Sequence, residues 1–224
     1  MALTFPLTLP ADFAGAELFE IRRVDFDSPT SGGAVGGVTS GFPVWTVRWT
    51  LARALRRETT DALIAFRDAL RGRQRLFFGA PQERAMPWRY PNGFAGLNRA
   101  GGGAFDGTAT GWSLNTDRDV LSLTGLPAGL ILTVRDYGMF RWTTGGEARR
   151  ALVRMMEGAT ANGSGALSIT VEPGVPTRVP NGAVFDLVRP CTLMRLDTAE
   201  TRLGEIERNG RTSGVLAGIE NPLP

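Results

Sequence analysis

The sequence predicts a mainly β protein, all-β or α+β, in which one helix packs on a larger β domain and a small antiparallel β unit is inserted. Three observations carry this. Glycine (29) and proline (14) together supply about a fifth of the 224 residues, which suits many short strands joined by tight turns. Residues 44–51 alternate strictly, a helical period replaces the alternation from about Arg57, and Leu76-Phe77-Phe78 returns to extended chain. Short apolar runs then recur between turn residues from Thr108 to Val188, and a further set of strands begins at Cys191. A chain that leaves one β unit and later returns to it describes an insertion. Residues 1–90 with 191–224 are expected to form the outer domain, and 91–190 the inserted sandwich or barrel.

The chain opens on a short extended arm with Leu3, Phe5, Leu7 and Leu9. It lacks a basic leader region and carries two prolines early, so no secretory signal is expected. In the strand expected over 17–27, Leu18, Glu20, Arg22, Val24 and Phe26 share one parity, and Phe19, Ile21 and Arg23 the other. Residues 28–41 are glycine-rich with little to bury. No G-x-G-x-x-G register fits them and no helix follows, so they read as a hairpin tip or an oligomer-contact loop, centred on Gly32, Gly33, Gly36 and Gly37.

The unit over 44–78 organises the outer domain. Trp45, Val47, Trp49 and Leu51 point one way along a strand, and Thr46, Arg48 and Thr50 the other. A helix is expected over 57–71, with Ala62, Leu63, Phe66, Ala69 and Leu70 on its apolar face. Gly72 follows, where a helix end favours positive φ. Residues 79–103, rich in Pro and Gly and carrying Trp88 and Tyr90, read as the crossover into the insert.

Within the insert, strands are expected at 112–114, 120–123, 130–134, 139–142, 167–171 and 184–188, with Asn162-Gly163 and Asn181-Gly182 in turns needing positive φ. Residues 147–156 admit a helical reading, and a strand from Ala151 on is preferred. In the last segment a hairpin at Asn209-Gly210 joins 205–208 to 211–216.

Composition excludes several chemistries. Histidine and lysine are absent, and Cys191 is the single cysteine. Ser-His-Asp triads, lysine Schiff bases, the P-loop lysine, an internal disulfide and Cys/His metal centres are therefore ruled out. The carboxylate pairs Asp25/Asp27, Asp117/Asp119 and Glu205/Glu207 could in principle act as acids or hold calcium, but nothing in the sequence ties one pair to another. No catalytic residue, metal or cofactor is expected, and the chain is read as a non-enzyme. Every basic residue is arginine, the net charge is only +3 and no basic block occurs, so neither specific nucleic-acid binding nor a membrane partner is expected. Arginine also favours protein interfaces, through its planar fork.

Residues 44–81 resemble the distal tail proteins, tail-tip components of long-tailed, siphovirus-type bacteriophages and prophages. The likeness lies in the tryptophan-bearing strand, a helix ending A-F-x-x-x-L-R-G (Ala65, Phe66, Leu70, Arg71, Gly72), a short aromatic strand and a G-x-P turn (Phe77, Phe78, Gly79, Pro81). Residues 126–137, LPAGLILTVRDY, resemble the family's "aGD" strand entry with Gly129-Leu130 in place of Gly-Asp. Residues 167–173, LSITVEP, resemble the strand that runs into "PPLR", altered here to Gly174-Val175-Pro176-Thr177-Arg178. The resemblance implies a ring-forming β-barrel or sandwich domain with a galectin-like or OB-like insert. It implies a homohexameric ring in the virion tail tip (baseplate), assembled in the host cytoplasm, that joins the tail tube protein to the hub and receptor-binding apparatus, with the tape-measure protein and tail fibres as further neighbours. The arginine face Arg48, Arg53, Arg56, Arg57, Arg67 and Arg71 and the glycines above are then the expected assembly surface. The alternative is a carbohydrate-binding module contacting host glycans through Trp112 and Trp142.

Overall fold

The structure, a computed structural model, describes residues 3–29, 35–53, 55–205 and 212–222. In chain order the elements are β1 (Leu7–Thr8), β2 (Ala14–Pro29), β3 (Val35–Leu51), α1 (Arg57–Ala69) and β4 (Leu76–Gly79). Then come β5 (Gly111–Leu114), β6 (Val120–Thr124), β7 (Ile131–Leu132), β8 (Tyr137–Thr144), β9 (Glu147–Met155), β10 (Ala159–Thr160), β11 (Leu167–Glu172) and β12 (Val184–Asp186). The chain closes with β13 (Thr192–Leu196), β14 (Arg202–Leu203) and β15 (Gly214–Glu220). The protein is mainly β with one helix, as its composition predicts.

Two sheets divide the chain. A seven-stranded sheet runs β1-β4-β13-β15-β3-β2, with β14 beside β15, and so draws on both ends of the sequence. A six-stranded sheet runs β12-β8-β9-β11-β6-β5, and β7 pairs with β10 beside it. Neither sheet closes into a barrel among the described residues. The second curls until its ends approach, where Ala109 N–H donates to the Phe185 carbonyl at 3.0 Å.

In the first sheet the alternation over 44–51 is realised as read: Trp45, Val47, Trp49 and Leu51 are buried, and Arg48 and Thr50 exposed. Helix α1 lays Thr60, Leu63 and Phe66 on this layer, with Phe66 edge-on to Phe77 at 5.4 Å between centroids. Ala62, placed on the apolar face by its period, is exposed. The helix ends at Leu70, and both Arg71 (φ 50°) and Gly72 (φ 66°) take the left-handed turn that stops it.

The insert's β6 and β11 bury Leu121, Leu123, Leu167, Ile169 and Val171 in strict alternation. The hairpin β8–β9 is longer than expected and buried on both faces. Phe140, Ala151, Val153 and Met155 belong to the insert's core, while Tyr137, Met139 and Leu152 join the core of the first sheet. Burial on both sides explains the nearly continuous apolar run at 151–156 and its helical appearance. The strand in fact starts at Glu147, because Gly145 (φ 59°) and Gly146 (φ 82°) form a two-residue turn with Thr144 opposite Glu147. At 162–166 the turn works differently from expectation. The Asn162 side-chain oxygen accepts from Ser164 N–H (3.0 Å) and Ala166 N–H (2.9 Å), and the positive φ falls on Gly165, not Gly163. Gly182 likewise is not left-handed.

Residues 28–41 are a correction. They are not a free loop, because β2 continues to Pro29 and β3 starts at Val35, with Ser28 opposite Gly36 and Asp27 opposite Gly37. Gly32 and Gly33 lie outside the described residues, as does the expected turn at Asn209-Gly210. Its flanking strands are Arg202–Leu203 and Gly214–Glu220.

Candidate assembly surface

The longest pairing in the molecule, β2 with β3, produces its most exposed feature. β15 covers β3 only between Thr46 and Thr50, so the more distal half of the hairpin has no third strand beside it. A register shift between Arg22 and Val24 marks the point where it leaves the sheet. From there the pair runs out as a two-stranded arm. Residues 22–26 are exposed on both parities, with Val24 at 51% and Phe26 at 60% of full exposure, and Phe42 stands exposed at the arm's base. The sequence parity that groups Leu18, Val24 and Phe26 is real, but this chain does not cover that face. Two contacts hold the arm against the insert: Arg23 pairs with Glu172 at 2.7 Å, and the Arg178 guanidinium lies over the Phe42 ring at 5.8 Å.

The six arginines expected on one assembly face are distributed over several places. Arg67 and Arg71 line a cleft of about 380 Å³ with Gly72, Thr198 and Thr201, although Arg67 also pairs with Asp68 at 2.8 Å. Arg48 lies in a neighbouring cleft with Leu18, Glu20 and Arg22, on the other side of the turn that follows β13. Arg57 reaches Asp61 at 3.9 Å, Arg56 is the N-cap residue of α1, and Arg53 is exposed in the turn after β3.

Neither tryptophan expected to meet a sugar offers an open face. Trp112 packs edge-on against Phe140 at 4.9 Å and donates its indole N–H to the Ala183 carbonyl at 2.6 Å, and Trp142 packs on the insert's core. The exposed indole is Trp88, with Arg84 stacked at 4.8 Å. Asp136, fully buried, holds both: it accepts from Arg84 Nη1 (3.0 Å), Trp88 N–H (2.9 Å) and Thr133 N–H (2.7 Å). Beside this loop an open groove of about 650 Å³ is lined by Met86, Phe94, Phe105, Val188, Asp106 and Arg189 among others.

The perturbed ionisable groups all have structural partners. Burial pushes the Glu17 carboxyl up against the opposing hydrogen bonds from Gln82 N–H (2.6 Å) and Trp49 Nε1 (2.9 Å). Burial also raises Glu220, which accepts from Trp45 N–H (2.9 Å) and the Thr192 hydroxyl (2.8 Å). The Cys191 thiol is pushed up to about 11 by burial and lies 3.8 Å from Met139 Sδ, so little reactive thiolate is present near neutral pH. Of the carboxylate pairs, Asp119 accepts from Asn115 Nδ2 at 2.7 Å and closes the β5–β6 turn. Among the described residues no group of three or more His, Cys, Asp or Glu side chains could hold a metal ion, and no helix is long and apolar enough to cross a membrane.

No protein-family model matches the chain, and no curated protein matches it.

Proposed function

We propose that the chain is a structural subunit of a bacteriophage tail tip, a distal-tail-type adaptor that assembles into a ring between the tail tube and the hub with its receptor-binding apparatus. The observation that carries the reading is the projecting β2–β3 arm, whose apolar side chains contribute to no core of their own chain. An isolated two-stranded hairpin is marginal in water, and an exposed apolar strand invites association unless a partner covers it. The resemblance of 44–81 to the distal tail proteins supplies the kind of assembly, and the packing of α1 over Trp49 and Phe77 is what those signature positions accomplish here. A ring needs two different surfaces on each subunit, which a long arm and a separate receptor can provide. Mass measurement in solution and particle images test this. A sixfold ring, or concentration-dependent assembly toward one, is the expected outcome, and a strictly monomeric protein at high concentration contradicts it.

A second reading, a glycan-binding module, finds support in Trp88 rather than in Trp112 or Trp142, because only that indole is open to solvent with its backbone and its stacked arginine both fixed. A glycan-array signal lost in Trp88→Ala and retained in Trp112→Phe is the outcome that would favour it.

A further inference from the structure

We infer that Val24 and Phe26 on the arm of one copy seat in the groove over Phe94 and Phe105 of the next copy, so that arm and groove are the two halves of a head-to-tail contact. The inference rests on the assembly reading above and deepens it by naming where the arm lands.

Each half has what the other needs. On the arm, Val24 and Phe26 alternate on one face of β2 and stand 51% and 60% exposed, more than any neighbour in their own chain can account for. On the insert, Phe94 and Phe105 meet edge-on at 4.8 Å and form an apolar floor, each only 5% exposed, with Met86 and Val188 beside them. The groove over that floor, about 650 Å³, is open to solvent and roomy enough for an aromatic ring with a branched neighbour. In the single chain the arm's face stays exposed while the groove stays open, so the contact is made between copies. Charge agrees with the pairing. Arg22 on the arm has no ion pair among the described residues, and the Asp106 carboxylate stands exposed at the groove's rim. A contact between two unlike surfaces of one chain propagates from copy to copy and closes into a ring when the rotation allows.

The test uses the full chain. Self-association is measured by sedimentation for the wild type, Phe26→Asp and Ala95→Trp, the second filling the groove from an exposed wall position. Both variants are expected to weaken association about tenfold or more. Their thermal midpoints should stay at the wild-type value, since both positions are exposed. In a Cys191→Ser background, the double variant Phe26→Cys/Ala95→Cys should form an interchain disulfide on mild oxidation that neither single cysteine forms. If the wild type assembles, both variants assemble equally tightly and no such disulfide appears, the arm–groove contact is overturned while the assembly reading stands. A wild type that remains monomeric at every concentration overturns both.

Discussion

The indole N–H of Trp45, in the middle of β3, donates to the backbone carbonyl of Leu152 in β9 at 2.9 Å, joining the two sheets across 107 positions of sequence. The bond is buried, and around it Phe19, Trp45 and Tyr137 form a cluster with centroids 5.2 to 6.0 Å apart. Arg154 caps the indole at 5.5 Å. Two of these residues come from the insert and two from the outer sheet. The insert is therefore not a bead on a linker, because it shares part of its hydrophobic core with the domain that carries it.

Trp45→Phe keeps the aromatic packing and deletes the one donor, leaving the Leu152 carbonyl buried without its partner. A loss of about 1–3 kcal/mol is expected in denaturant titration. Because the clusters are continuous through β8 and β9, wild type and variant should unfold in a single transition reported alike by near-UV and far-UV signals. Two separated transitions in the wild type would show that the sheets unfold independently.

Phe66→Ala addresses the helix. Phe66 is 6% exposed and edge-on to Phe77, so truncation should cost about 3–5 kcal/mol. A loss below about 1 kcal/mol would contradict the packing of α1 on the sheet. Ala65 is exposed, so Ala65→Ser serves as the control and should change stability by less than about 0.5 kcal/mol.

Much of this architecture was legible because burial on one face leaves a periodic trace. Residues 44–51, 120–124 and 167–172 alternate in sequence and in burial alike, and the helix between them carries its own period and stop signal. Legibility failed where two faces are buried, as in β8 and β9, because the trace then loses its period. It failed again where a face is apolar but uncovered. Val24 and Phe26 keep the alternation of a core strand, and alternation reports that a face is apolar without reporting what covers it. The glycines at 36–37 mislead in the opposite direction, since with no side chain to bury they look like a loop while pairing as a strand. The Gly145-Gly146 turn could have been found, because a Gly-Gly pair between alternating runs is a hairpin signal. The groove is assembled from 86–95, 105–106 and 188–189, and no local pattern announces that these segments meet.

Asp136 tests how the crossover segment is fixed. Its carboxylate is fully buried and binds Arg84, Trp88 N–H and both donors of Thr133. Asp136→Ala removes the charge opposite Arg84, whose side chain is itself only 14% exposed, and leaves several donors unpaired. Removing one member of such a pair is expected to cost about 3–5 kcal/mol. Asp136→Asn, which keeps an acceptor, should cost less, and Trp88 fluorescence should shift toward a more solvated value in the alanine variant alone. Equal spectra for the two variants would mean that Asp136 does not set the position of Trp88.

Glu220 gives a prediction in pH. It is buried at the end of β15, and burial raises its pKa against the opposing effects of Trp45 N–H, the Thr192 hydroxyl and, at 3.8 Å, Arg178. A carboxyl whose folded pKa lies above its unfolded one binds its proton more tightly in the fold. That contribution to stability is fully present below the unfolded value near 4.5 and is lost as pH rises through the folded value. Glu220→Gln cannot titrate, and its side-chain oxygen can still accept from one of the two donors. The stability difference, wild type minus Glu220→Gln, should therefore fall as the pH is raised from about 4 to about 7, with the variant gaining relative to the wild type. Parallel stability curves over that window would mean that the Glu220 pKa is the same in the folded and unfolded chain. A difference that grows with pH would mean that Arg178 and the hydrogen-bond donors outweigh burial.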